Sequence, residues 1–124
     1  SLKITQDDYI VAMREKELIT REISDILKNY KSLITPSVPC VAPSIKTLKA
    51  EINGKEFDYL KSIHRPFLSP HNITGCPSIV MPIGRNKDRL PMSIQVIGEK
   101  WKEENIIQVA HSLEKVISYK SIIN

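Results

Sequence analysis

From Tyr9 to Tyr30, apolar residues recur at spacings of three and four. Tyr9, Ala12, Met13, Ile19, Ile23, Ile26, Leu27 and Tyr30 fall on one side, while Arg14, Glu15, Glu17, Arg21, Glu22 and Asp25 fall mostly elsewhere. That period predicts one long amphipathic helix running to about Asn29. Thr5 stands before it as a cap, and Asp8, three residues on, can return the bond in a capping box. Oppositely charged pairs such as Glu17 and Arg21 add only about 0.2–0.5 kcal/mol each and read as a solvated face.

The pattern then shortens. Leu33 to Thr35 predicts a brief buried strand, stopped by Pro36 and Pro39, which lack ladder donors. With Pro43, these prolines make the next segment extended and irregular. From Ile45 to Pro70 the periodicity weakens. Asn53-Gly54 is a tight-turn signal, and Phe57, Leu60 and Ile63 suggest a helical turn or two. Asn72 to Gly75 reads as a break before the apolar run Ile79-Val80-Met81, which suits a strand buried on both faces. Ser93 to Ile97 alternates and predicts a second strand, joined to the first by the polar turn Arg85 to Arg89. Ile106, Ile107, Ala110, Leu113 and Ile117 then give a closing helix one apolar face. The expected architecture is α/β, with two helices over a short sheet.

Composition narrows this reading. A chain of 124 residues, 41% hydrophobic, suffices for one small core, and a domain of this size buries roughly two-thirds of its unfolded surface. No apolar run is long enough to span a membrane, and no secretory leader opens the chain. Cys40 and Cys76 stand in unrelated segments without C-x-x-C spacing, so they read as reduced thiols in a cytoplasmic protein. The 18 basic residues against 14 acidic ones are scattered, which suits a solvated surface better than a nucleic-acid footprint.

The stretch from Asn72 to Gln95 reads NITGCPSIVMPIGRNKDRLPMSIQ. It has the form N-x-T-G-x-P, an apolar strand closing in P-x-G, a polar turn, then L-P-x-x-x-Q. Upstream, Asp8-Tyr9 opens a charged helix, and Ser32-Leu33-Ile34-Thr35-Pro36 leads to Val41-Ala42-Pro43. Downstream, Gly98 precedes Trp101-Lys102-Glu103-Glu104 and an apolar-striped helix to Glu114. In that order the pieces resemble the C-terminal part of amidase signature enzymes, the serine amide hydrolases that include bacterial amidases and the amide-hydrolysing component of tRNA-dependent amidotransferases. The resemblance runs from about Asp8 to Val116 and implies the C-terminal part of a mixed-sheet fold much longer than this chain. The whole of 1–124 is then a single partial domain, a reading that the start at Ser1 rather than Met suits.

The same resemblance implies chemistry by a lysine base, a bridging serine and a nucleophilic serine, carried in K-G-S and Gly-Gly-Ser-rich segments. This chain has four glycines, no Gly-Gly pair and no K-G-S. No catalytic residue is therefore assigned, and the chain alone is expected to be inactive. Ser78 and Ser93 have no basic partner at a recognisable spacing. His64, His71 and His111 form neither an i, i+4 pair nor H-E-x-x-H, so no metal or other cofactor is expected. Gln95 is expected to make a buried hydrogen bond from a strand.

The substrate-binding candidates are Arg65, Asn72, Thr74 and Gly75. Asn72 and Thr74 have side chains suited to fixing a turn, and in the family fold that segment would shape the cavity wall. Gly75 would supply a permissive backbone. In the amide-hydrolysing component of amidotransferases an acidic residue, seven positions before this asparagine, pairs with the ammonium of glutamine; here that position is Arg65. A cation repels an α-ammonium, so Asp58 or Glu56 would have to replace it. Arg65 favours a general amidase and an acidic or carbonyl-rich substrate, or else it is a surface residue. The resemblance further implies a loop from Ile45 to Asn72 over the substrate entrance, and a small-molecule amide as partner in the intact enzyme. It also implies apolar surface that meets the remaining domain or self-associates. The alternatives are a noncatalytic interaction module derived from an amidase, and a segment of the amide-hydrolysing component of a tRNA-dependent amidotransferase.

Overall fold

Thr5 and Asp8 cap the first helix reciprocally: the Asp8 amide donates to Thr5 Oγ1 at 3.1 Å, and the Thr5 amide donates to Asp8 Oδ2 at 2.9 Å. Two orphan N–H groups are thereby satisfied. The computed structural model describes residues 3–59 and 65–117. Its elements are α1 (Gln6–Asn29), β1 (Leu33–Pro36), β2 (Lys49–Ile52), β3 (Lys55–Asp58), α2 (Arg65–Thr74), β4 (Ser78–Arg85), β5 (Pro91–Ile97) and α3 (Glu103–Ile117). The result is a mixed α/β fold with a long N-terminal helix, short antiparallel strands and a closing helix. It agrees with the period-based reading in α1, β5 and α3; β1 is a strand as expected but not a buried one, since its residues alternate half-buried and exposed and Ile34 is 50% exposed at the sheet edge.

The main sheet has the order β1-β5-β4, antiparallel throughout. Its alternation sorts two faces. Ile79 and Met81 of β4 lie beside Val96 and Ile94 of β5, and this face packs on α3 through Ile106 and Ala110. Gly98, just beyond β5, lets α3 approach closely: a Cβ there would overlap Ile106 Cγ2. The opposite face carries Thr35, Gln95 and Val80 in a row across the strands. Here α2 reaches the sheet through Gln95, and α1 lies against α2.

Three further expectations are corrected. The segment from Ile45 to Asn72 is not one loop, because its polar residues find regular partners. Asn53-Gly54, with φ of 52° and 75°, turns a β2–β3 hairpin, and Phe57 sits in β3 rather than in a helical turn. Leu60, Ile63 and His64 lie outside the described residues. Asn72 to Thr74 is the last turn of α2 rather than a break. The break comes one residue later, where Gly75 adopts φ +70° and accommodates a helix-ending turn. There the Gly75 and Cys76 amides both donate to the His71 carbonyl, at 2.9 and 3.2 Å. Finally, β4 is an edge strand, and Val80 is 58% exposed rather than buried on both faces.

Much of α1 is uncovered. Leu27 is its buried residue among those described, while Tyr9, Met13, Ile19 and Ile26 of the expected apolar face remain exposed. No described helix is long and apolar enough to cross a membrane.

Candidate functional site

Gln95 stands at the centre of the sheet and is 2% exposed. Its Nε2 donates to Thr35 Oγ1 at 2.9 Å and to the Phe67 carbonyl at 2.8 Å, and lies 3.5 Å from the Pro36 carbonyl. The buried hydrogen bond expected from sequence is thus a junction of β5, β1 and α2. Burying an amide is tolerated when its donors are used, and here they fasten a helix to a sheet.

The four substrate-binding candidates all lie on or just after α2. Arg65 and Asn72 are seven residues apart, two helical turns, which places them on one face, and both are exposed. Thr74 points the other way. It is 1% exposed, and its hydroxyl donates to the Pro70 carbonyl at 2.8 Å. That back-bond satisfies the buried hydroxyl within the last turn of a helix whose Pro70 has no N–H to donate. Gly75 ends the helix, with Lys100 nearest to where a Cβ would stand. The structure thus presents Arg65 and Asn72 together, and uses Thr74 and Gly75 to finish the element that carries them.

His71, in the same helix, has its Nδ1 buried with no hydrogen-bond partner among the described residues. Burial holds its pKa below the usual histidine value. The end of β1 and the segment after it build a feature that the sequence did not announce. Pro36, Val38, Cys40 and Val41 close over Ile83 and Met92 to line an apolar cleft of about 460 Å³. Burial raises the Cys40 thiol pKa and keeps it protonated. The signal for the cleft was the mixture of prolines and apolar residues from Pro36 to Ala42, legible only once β1 is placed. Ser78 and Ser93 make no side-chain hydrogen bond to a lysine or histidine among the described residues. No group of three His, Cys, Asp or Glu residues suited to a metal ion occurs there either.

Comparison with known proteins places this architecture. The model of the family described as Amidase matches residues 2–107. The chain is 31% identical over 112 residues to a fatty acid amide hydrolase of Medicago truncatula, a match covering 90% of this chain and 18% of that protein. It is 34% identical over 113 residues to the A-type component of the glutamyl-tRNA(Gln) amidotransferase of Agathobacter rectalis, covering 90% of this chain and 21% of that protein. Among solved structures, a crystal structure of an amidase superposes with a TM-score of 0.83 at 23% identity, over 93% of this chain and 26% of that one. The chain therefore spans about a fifth of the length of the curated relatives it matches. With a family match across most of its length and the fold to accompany it, the chain belongs to the amidase signature family.

Proposed function

We propose that this chain is the C-terminal segment of a serine amide hydrolase, contributing sheet and one wall of the substrate cavity. The lysine, bridging serine and nucleophilic serine are supplied by a region upstream of it. The observation that carries this reading is the family match over residues 2–107 of a chain that spans only a fifth of its relatives. In the complete enzyme, an activated serine attacks the amide carbonyl and forms an acyl-enzyme. Ammonia or an amine leaves, and water hydrolyses the ester while backbone N–H groups hold the oxyanion.

Within that enzyme, Arg65 and Asn72 address the substrate from the exposed face of α2, and Thr74 and Gly75 shape the wall behind them. The substrate is a small-molecule amide. Free Cys40 and Cys76 suit a reducing, cytoplasmic setting. The uncovered apolar residues of α1 and the β4 edge meet the rest of the domain or, in its absence, another copy of the chain. The likeness to a glutamyl-tRNA(Gln) amidotransferase component favours a second reading, in which the intact protein releases ammonia from glutamine. Arg65 weighs against it, since its cation repels an α-ammonium.

Turnover of simple aliphatic and aryl amides by residues 1–124 alone tests the proposal. No hydrolysis above blank is expected. Saturable turnover that disappears on Ser78→Ala or Ser93→Ala would place catalysis within this chain and overturn it.

A further inference from the structure

The β1–β5 ladder already holds those two strands together, so what Gln95 adds is α2. A primary amide has two N–H donors. Its two short bonds, to Thr35 Oγ1 and to the Phe67 carbonyl, use both. Phe67 lies in the first turn of α2, the part of that helix least able to hold itself. Pro70 cannot donate to the carbonyl of Pro66 four residues earlier, and its ring crowds that carbonyl. Arg65 opens this same turn, two residues before the pinned carbonyl.

We infer that Gln95 is a positioning residue for substrate selection. By holding the Phe67 carbonyl against β1, it fixes the turn that carries Arg65, and Arg65 recognises an anionic group on the amide substrate. The inference rests on the proposed reading that the Arg65–Asn72 face addresses substrate. Its physical basis is the steep dependence of recognition on placement: a shift of roughly 1 Å made far from the chemistry can cost about a hundredfold in rate. Thr35 takes part as the second anchor of the amide. Because Thr35 and Gln95 face each other across the ladder, the latch is built on the most regular part of the fold.

The test uses the full-length protein and two amides that differ only in a carboxylate remote from the scissile bond, free in one and methyl-esterified in the other. The wild type is expected to favour the free acid in kcat/KM. Arg65→Ala removes that preference. Gln95→Met, similar in volume but without donors, is expected to reduce it about tenfold, mainly through KM of the acid. Thr35→Val, which keeps the Phe67 bond, moves it the same way by less and serves if Gln95→Met does not fold. In the Arg65→Ala background, neither second substitution changes the ratio further, which a general loss of stability would not reproduce. The inference is overturned if the wild type hydrolyses both amides equally. It is equally overturned if Gln95→Met and Thr35→Val lower the melting temperature while leaving the ratio at its wild-type value. Absence of amide turnover in the wild type would instead overturn the functional reading itself, and would be seen before any variant is made.

Discussion

Side-chain chemistry in α2 decides more of this molecule's behaviour than its ten residues suggest. His71 is buried enough to disfavour its charged form, so the unfolded chain takes up a proton near pH 6.5 while the folded one resists it. Its contribution to stability is therefore complete above about pH 6.5 and is lost as pH falls from there toward the lower folded value. Thermal melting from neutral to mildly acidic pH should show this decline, and His71→Gln should flatten it; an unchanged slope would mean that other groups carry the pH dependence. Gly75 gives a second expectation at this scale. Its φ of +70° is strained for any side chain, so Gly75→Ala should cost about 1 kcal/mol in denaturant unfolding. At Arg65, charge reversal to Glu in the full-length protein should change the order of preference among amide substrates while leaving the melting temperature nearly fixed. Unchanged kinetics across a substrate panel would make Arg65 a surface residue.

Elements differ in how far they could be read in advance, and the difference is physical. Helix α1 was legible because its period is long and its cap is local: Thr5 and Asp8 meet within one turn and need nothing from the rest of the chain. Thr5→Ala should accordingly cost about 1 kcal/mol of helix stability, read as lost amide protection in the first turn of α1 with the sheet unaffected. Helix α2 was not legible. Pro66 and Pro70 are loop-forming residues by local preference, Gly75 ends the helix, and the support that reaches α2 from elsewhere is the Gln95 amide on the Phe67 carbonyl. The β4 edge was misread because a run such as Ile79-Val80-Met81 looks alike whether one face is covered or two. The buried hydrogen bond of Gln95 was legible from its place in a strand. That Arg65 and Asn72 share one helix face was not, since the face exists only once their segment is a helix.

The whole molecule leaves apolar residues uncovered on two of its elements. Val80 on the free β4 edge, and Tyr9, Val11 and Leu18 on α1, are each more than half exposed, a distribution that a self-sufficient domain avoids. Sedimentation of the 124-residue chain across concentration should show association, and a monomer throughout would remove the argument that these faces seek a partner. The central claim is that the nucleophile lies outside this chain. It is tested most directly by treating the full-length protein with a serine-directed fluorophosphonate and mapping the modified peptide by mass spectrometry. The account predicts a single labelled serine upstream of these residues. A label on Ser78, Ser93 or any other serine of this chain would contradict it.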